Sequence, residues 1–346
     1  MSGGLKLGLN TGYWAGGPPP GMQETILEAE RIGYDSIWTA EAYGSDCLTP
    51  LAWWGAHTER IRLGTAIVQM SARQPAATAM AAMTMDHLSG GRFVLGLGVS
   101  GPQVVEGWYG RPFPKPLART REYIGILRDI WKREGPVTND GPHYPLPLPD
   151  GTGLAKPLKS SIHPLREDIP IYLGAEGPKN VALCAELCDG WLAMLLCPDN
   201  QSMFEEYLDE GFARDSARRS KDDFDVAATV PFILCDDVQQ GIDSLRPFYA
   251  LYFGGMGAKG ANFHANVPAR MGYEAEVREI QDLYLGGKKD EAAARLPAEL
   301  IEKMSLVGPK EKIRDELDAW RESIVTTMLV SGDANTLRTA AELVLG

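Results

Sequence analysis

Short apolar segments alternate along the chain with longer segments in which apolar residues recur at helical spacing. The short segments predict eight strands, at residues 5–10, 35–39, 63–68, 93–98, 171–174, 191–195, 224–234 and 326–331. The longer segments predict crossover helices, at residues 22–32, 49–58, 75–89, 119–132, 178–187, 203–218 and 309–320. Alternation of this kind is typical of parallel strands joined by helices. We therefore predict an α/β fold, a closed (β/α)8 TIM barrel rather than an open sheet.

Two stretches interrupt this alternation. Residues 135–170 are rich in proline, and residues 238–306 are predicted to be helical with a glycine-rich turn. We expect both stretches to be insertions, after strands four and seven of one domain that spans residues 1–346. A chain of 346 residues is long for an ordinary domain but lies within the range of a single α/β barrel with insertions.

Small residues cluster where three of the predicted strands end. The three groups are Thr65, Ala66 and Ile67; Gly98, Val99, Ser100 and Gly101; and Gly174, Ala175, Glu176, Gly177, Pro178 and Lys179. Parallel α/β sheets bind their ligands at the carboxyl ends of the strands. Small residues at that place let the backbone approach a flat ligand, although barrel strands that need small residues for packing would show the same pattern.

The third group, residues 174–179, has the features of an anion site. It ends a strand, and Pro178 starts a helix, so the amides of Gly177, Lys179 and Asn180 can point at an anion near the positive end of the helix dipole. Lys179 adds positive charge, whereas Glu176 counts against an anion. The alternative is a strand-to-helix loop that is shaped only by glycine and proline.

Residues 96–101 match the GxGxxG pattern of dinucleotide-binding folds. Their context argues against NAD, because a Rossmann turn must open a helix whose N-terminus meets the pyrophosphate. Here Trp108, Tyr109, Gly110 and Pro112 interrupt the following segment. We expect these glycines to serve a barrel strand end instead.

The order and spacing of four segments resemble the luciferase-like flavin and deazaflavin (coenzyme F420) oxidoreductases. The segments are LGTAI at 63–67, SGGRFVLGLGVSG at 89–101, IYLGAEGPKNVALCAELCDGW at 171–191 and SLVGPKEKI at 305–313. The resemblance runs from residue 5 to about residue 345, and it also implies a TIM barrel.

For function, the resemblance implies an F420-dependent oxidoreductase, a homodimer, that moves hydride between the deazaflavin C5 and a small organic substrate. In the F420 branch the peptide corresponding to Ala66–Ile67 is a non-proline cis bond whose bulge backs the deazaflavin ring. The loop corresponding to residues 174–179 holds the cofactor's phosphate in that branch. The alternatives are an FMN-dependent monooxygenase on the same fold and a non-catalytic F420-binding protein.

Glu41 is the candidate catalytic residue. It follows the second predicted strand, where related enzymes carry an acidic residue beside the cofactor, and a solvated loop carboxylate is the alternative. Several F420 enzymes have His at the next position, where this chain has Ala42. The proton-transferring glutamate of F420-dependent glucose-6-phosphate dehydrogenases also has no counterpart, since Tyr13 and Trp14 occupy that region. These departures argue against sugar-phosphate oxidation and favour an apolar or flat substrate.

The acidic composition limits the remaining possibilities. The chain has 34 basic and 46 acidic side chains, a net charge of −12, which opposes nonspecific binding to nucleic acid or to an anionic membrane. An anionic cofactor tail therefore needs local cations, for which Arg111, Lys259 and Arg270 are candidates. The five histidines and five cysteines are dispersed without metal-ligand spacing, so no metal is expected. The absence of a leader-like or membrane-spanning segment leads us to expect a cytoplasmic protein.

Overall fold

The computed structural model describes residues 4–14, 16–257, 259–260 and 262–346. Its strands, in chain order, are β1 (Lys6–Gly12), β2 (Ser36–Thr39), β3 (Arg62–Thr65), β4 (Val68–Gln69), β5 (Phe93–Gly98), β6 (Ile171–Gly174), β7 (Gly190–Ala193), β8 (Asp225–Thr229), β9 (Phe232–Leu234), β10 (Leu306–Gly308) and β11 (Thr327–Val330).

The strands close into a parallel barrel. Around the barrel the order is β1, β2, β3, β5, β6, β7, β8 and β11, and β11 pairs with β1 to complete the ring. The short strand β4 continues the course of β3 and pairs with the end of β5. The eight parallel positions confirm the predicted (β/α)8 TIM barrel.

One predicted strand is wrong in its extent. Residues 224–234 form two strands, because β8 stays in the barrel while β9 leaves it and pairs with β10 in a separate two-stranded sheet. Pro231 stands between the two strands, and proline has no N–H to donate to a ladder.

The helices lie around the barrel and in its insertions. In chain order they are α1 (Met22–Arg31), α2 (Leu48–Gly55), α3 (Pro75–Leu88), α4 (Pro102–Gly107), α5 (Pro116–Lys132), α6 (Pro178–Leu187), α7 (Gln201–Phe212), α8 (Val238–Ala250), α9 (Asn266–Pro268), α10 (Glu274–Leu285), α11 (Lys289–Ala294), α12 (Ala298–Lys303), α13 (Lys310–Arg321) and α14 (Ala334–Leu345). Proline occupies the first position of α3, α4, α5 and α6, where its missing N–H costs no hydrogen bond. Among the described residues, no helix is both long enough and apolar enough to cross a membrane.

Helix α7 ends earlier than the predicted residue 218. The arginines beyond its end leave the helix to meet buried carboxylates: Arg214 donates to Glu186 at 2.7 Å and Arg218 donates to Asp189 at 2.9 Å. Charge pairing therefore overrides the helical pattern of the sequence at this end.

The proline-rich stretch between α5 and β6 runs over the outside of the barrel. Two isolated antiparallel bridges hold it, Val137 with Leu158 and Asn139 with Leu146. Arg166 fastens its end to helix α3, since its Nε donates to the buried Asp86 carboxylate at 3.0 Å. The second insertion carries helices α8 to α12.

The barrel interior is filled by side chains and is closed at its amino end. The interior cluster comprises Trp38, Val94, Tyr172, Leu192, Ala227 and Leu329. Below it, the partly buried Asp225 carboxylate accepts hydrogen bonds from the Tyr172 hydroxyl at 2.6 Å and from Lys6 at 3.3 Å, and Arg62 lies at 3.4 Å. This ion cluster leaves the carboxyl end of the barrel as the place for a ligand.

Candidate active site

The peptide between Ala66 and Ile67 is cis, as expected, and it separates β3 from β4. Neighbouring strands hold both sides of this bulge. The Ala66 amide donates to Thr39 O at 2.6 Å, and the buried Thr65 hydroxyl both donates to Gly96 O and accepts from Gly96 N at 2.9 Å. Ala66 and Ile67 themselves lie on top of the barrel's interior cluster and stay partly exposed.

The glycines at the ends of β5 and β6 make room for Ile67. A Cβ at Gly98 would lie 2.7 Å from Ile67 Cδ1, and a Cβ at Gly174 would lie 3.2 Å from Ile67 Cγ2. These distances show packing against Ile67, the alternative given above for small residues at strand ends, and the role of Gly98 in cofactor binding stays a prediction. The two glycines let the Ile67 side chain pack against the ends of β5 and β6.

Residues 99–101 turn the chain sharply away from β5. Ser100 has a φ of 58°, in the left-handed region, and Gly101 is the N-cap of α4. A Cβ at Gly101 would stand 4.0 Å from the carbonyl oxygen of Met256, so the second insertion passes close to this turn. The end of β5, the bulge of Ala66 and Ile67, and the second insertion thus border one opening.

Glu41 is buried behind the bulge, which rules out the solvated loop carboxylate. Its Oε1 accepts from the Gln69 amide at 2.9 Å and from Arg73 at 2.6 Å, while the Gln69 side chain donates back to Glu41 O at 3.1 Å. Arg73 also pairs with Asp46. Glu41 therefore ties β4 to the loop after β2. Its catalytic assignment stays a prediction, and this geometry gives it the means to position the bulge.

The loop of residues 174–179 has two amides that point to no described acceptor. Gly177 is the N-cap of α6. Among the described residues, the backbone N–H groups of Gly177 and Lys179 have no hydrogen-bond acceptor. The prediction that the Asn180 amide is also free for an anion is wrong, because Asn180 N donates to Gly177 O at 2.9 Å. Lys179 is exposed, and a Cβ at Gly177 would have no heavy atom within 4 Å.

Buried polar atoms without a partner concentrate at this end of the barrel. In the described part of the chain, seven buried side-chain nitrogen and oxygen atoms have no hydrogen-bond partner. Four of them lie at or after the end of β4 or β6: Gln69 Oε1, Ser71 Oγ, Glu176 Oε2 and Asn180 Oδ1. Because such atoms are rare in folded proteins, a cluster of them indicates a surface built for a polar ligand.

Aromatic side chains from three segments surround the opening. Tyr13, after β1, and Tyr43, after β2, have ring centroids 6.5 Å apart. Tyr252 comes from the second insertion, and its ring meets His264 edge-on at 4.9 Å. Burial, with smaller effects from Tyr13, Glu176 and Tyr43, raises the pKa of Tyr252 to about 12. Tyr252, which the sequence did not single out, thus adds a third aromatic ring to those of Tyr13 and Tyr43.

His264 was also missed by sequence reasoning. Its Nδ1 lies 2.6 Å from Glu176 Oε1, so the carboxylate in the predicted phosphate loop is paired rather than free. The two residues stand 88 positions apart, and no local spacing links them. The only signal in the sequence was the glycine- and aromatic-rich segment that precedes His264.

A cavity of about 240 Å³ lies beside the bulge, between the turn after β5 and the proline-rich insertion. Met70, Ser71 and Val99 form its floor, and Arg111, Arg119 and Tyr144 line its outer side. Of the predicted tail-binding cations, Arg111 is thus at the cavity, whereas Lys259 pairs with Asp282. In the described ranges, no group of three His, Cys, Asp or Glu side chains is placed to hold a metal ion.

Comparison with known proteins places this site in a family. The family described as luciferase-like monooxygenase matches residues 8–327. A Mycobacterium tuberculosis protein provisionally named a coenzyme F420-dependent oxidoreductase is 56% identical, over 99% of this chain and 100% of its own length.

Two solved structures share the fold at lower identity. The coenzyme F420-dependent tetrahydromethanopterin reductase from Methanopyrus kandleri has a TM-score of 0.79 at 22% identity, over 99% of each chain. An F420-dependent secondary alcohol dehydrogenase, in complex with an F420–acetone adduct, has a TM-score of 0.75 at 16% identity, over 99% of this chain and 98% of the other. At these identities the likeness establishes the fold alone. The chain therefore belongs to the luciferase-like monooxygenase family, in the branch that contains coenzyme F420-dependent oxidoreductases.

Proposed function

We propose that the protein binds coenzyme F420 at the carboxyl end of the barrel and transfers hydride between C5 of the deazaflavin and a small organic substrate. The observation that carries this proposal is the partly exposed apolar surface of Ala66 and Ile67, together with four partnerless buried polar atoms at the ends of β4 and β6. The names of the 56% identical relative and of both structural neighbours support the choice of F420 over FMN.

The residues present fit this cofactor. Ala66 and Ile67 offer a small apolar surface for one face of a planar ring. The amides of Gly177 and Lys179, with the Lys179 ammonium, suit a phosphate at the start of α6. Gln69 Oε1, Glu176 Oε2 and Asn180 Oδ1 can accept hydrogen bonds from N–H or hydroxyl donors. The cofactor supplies the hydride chemistry, and the protein supplies position and electrostatics.

The substrate side of the site is aromatic. Tyr13 and Tyr43 have ring centroids 6.5 Å apart, and both lie close enough to Tyr252 to affect its pKa; an aromatic group of this kind favours an apolar or flat substrate. The acetone adduct in the name of one structural neighbour supports a ketone or secondary alcohol as the substrate class.

The test is a titration of the purified protein with oxidised F420 and with FMN, followed by fluorescence. We expect F420 to bind with a low micromolar or smaller Kd and FMN to bind more weakly. Equal or tighter binding of FMN would contradict the proposal.

Turnover then separates the three functions. The protein is incubated with reduced F420 and a panel of ketones, with and without oxygen. Oxidation of F420 that needs a ketone and no oxygen supports hydride transfer. Oxygen-dependent turnover with FMN would favour the monooxygenase, and F420 binding without any turnover would favour a binding protein.

We also propose that the protein forms a homodimer through helices α2 and α3. Trp53 on α2 and Met80 and Leu88 on α3 are large apolar side chains, and all three are more than half exposed. Light scattering of the wild type and of Trp53→Asp tests this proposal, and a monomeric wild type would contradict it. The cytoplasmic location stays a prediction.

A further inference from the structure

The second insertion contributes His264 to the candidate site, where Ala42 stands at the position that carries His in several F420 enzymes. His264 lies beside Glu176 on the loop after β6 and beside Tyr252 from the same insertion. Tyr252 is in turn close enough to Tyr13 and Tyr43 for their charges to affect its pKa. His264 therefore lies between the loop after β6 and the aromatic group of Tyr13, Tyr43 and Tyr252.

The imidazole is held in one orientation from two sides. Glu176 fixes Nδ1 at 2.6 Å, and the His264 amide donates to Asn262 Oδ1 at 3.1 Å. The Asn262 amide group donates to Tyr252 O at 2.8 Å and to Phe253 O at 2.9 Å, so Asn262 links the backbone at His264 to that of Tyr252 and Phe253. Fixing of this kind is how a carboxylate orients a histidine that acts as an acid or base.

The other ring nitrogen, Nε2, remains available. Among the described residues no group bonds to it, and about a quarter (24%) of the His264 side chain stays exposed. An oriented imidazole with one nitrogen bound and the other accessible can exchange a proton with a ligand in the opening.

The surrounding charges favour the protonated ring. Burial lowers the pKa of His264, but the charge of Glu176 and the hydrogen bond to it outweigh burial and raise the pKa above its ordinary value of 6.5. Tyr252 is neutral near pH 7, because its own pKa is raised to about 12. Glu176 is thus the charged group that faces the ring.

We propose that His264 is the acid–base residue of this site and that it acts on a carbonyl or hydroxyl oxygen of the substrate. The proposal rests on the F420-dependent function proposed above. In the reducing direction the carbonyl carbon receives hydride, with two electrons from the reduced deazaflavin. His264 Nε2 gives its proton to the oxygen, so that one C–H and one O–H bond replace the C=O π bond. The neutral imidazole then regains a proton from water.

The experiment compares His264→Gln with His57→Gln, a matched change at an exposed histidine just after the end of α2. Each variant is first titrated with oxidised F420, and each is then assayed with reduced F420 and the same ketone panel. We expect His264→Gln to keep the wild-type Kd for F420 and to lower kcat about 100-fold or more, the usual size of a general acid's contribution. We expect His57→Gln to match the wild type.

Glu176→Gln supplies a second readout that does not depend on turnover. In side-chain NMR of the protein without cofactor, the pKa of His264 should fall when Glu176 is neutralised. In turnover, the loss of rate that accompanies deprotonation should move to lower pH in the same variant.

The outcomes separate the two proposals. Unchanged kcat in His264→Gln, or a His264 pKa that does not respond to Glu176→Gln, would overturn the role of His264 while F420 binding persists. F420 binding by the wild type without turnover of any ketone would overturn the carbonyl assignment. Failure to bind F420 would instead refute the function on which it rests.

Discussion

Ile67 occupies the space that a side chain at position 98 would need, since a Cβ at Gly98 would stand 2.7 Å from Ile67 Cδ1. Gly98→Ala should therefore displace the bulge and lower the free energy of unfolding by about 1–3 kcal/mol. F420 affinity should fall with it. Gly177→Ala is the matched control, because its Cβ would meet no heavy atom within 4 Å, and it should unfold like the wild type. Denaturant unfolding and fluorescence titration of both variants check this prediction.

Ala66→Trp should abolish F420 binding and leave the fold intact. Ala66 is partly exposed above the interior cluster, so an indole there would extend into the space expected for the ring. Fluorescence titration measures the binding, and circular dichroism monitors the fold. A folded Ala66→Trp variant with wild-type affinity would place the ring elsewhere.

Gly177→Asp should weaken F420 binding about tenfold or more, since a carboxylate near a bound phosphate costs roughly 1–4 kcal/mol. The open space around Gly177 means that the substitution should not disturb packing. Gly177→Asn is the control for size, and it should bind nearly as well as the wild type. If the Asp and Asn variants bind F420 equally, the phosphate does not lie at the start of α6.

Glu41→Gln should destabilise the protein by about 1–3 kcal/mol, because Arg73 loses a buried charged partner. Affinity for F420 should also decrease, since Glu41 holds the amide that follows the bulge. Glu274→Gln, which removes an exposed pair with Arg278, should change stability by less than about 0.5 kcal/mol. A Glu41→Gln variant with normal stability and Kd but reduced kcat would favour the catalytic assignment instead.

Asp225 should make the barrel sensitive to acid. Burial opposes its charge, but Lys6, Thr326, Tyr172 and Arg62 prevail and lower its pKa from 3.8 to about 2. A depressed pKa stabilises the folded state by about 2 kcal/mol above pH 4, and this contribution is lost as pH falls from about 4 to 2. Asp225→Asn should unfold more readily at pH 7, and the difference from the wild type should shrink toward pH 2. A difference that is constant over this range would contradict the prediction.

Much of the barrel follows from the sequence because strand ends and helix starts carry local signals. The range of β5, the range of α6 and the proline start of α3 were all predictable from apolar runs and turn residues. The division of the predicted strand 224–234 at Pro231 was not predictable, because β9 pairs with β10, a strand more than 70 residues later.

The candidate site likewise has parts that the sequence predicts and parts that it does not. The bulge and the loop after β6 lie within single short motifs, so resemblance to a family was enough to place them. His264 and Tyr252 depend on how the second insertion folds back over the barrel, and that path is a tertiary property. The pairing of Glu176 with His264 could not be anticipated from either residue alone.

The ion cluster of Asp225, Arg62 and Lys6 has a consequence for the order of events at the other end. Because these side chains fill the amino end of the barrel, we expect a ligand of the bulge to enter and leave at the carboxyl end. Tyr43 is more than half exposed, whereas Ala66 and Ile67 are only partly exposed, so we expect a molecule on the bulge to lie deeper than one that touches Tyr43. If a cofactor and a substrate share this route, we expect ordered binding, in which the cofactor on the bulge binds first and is released last.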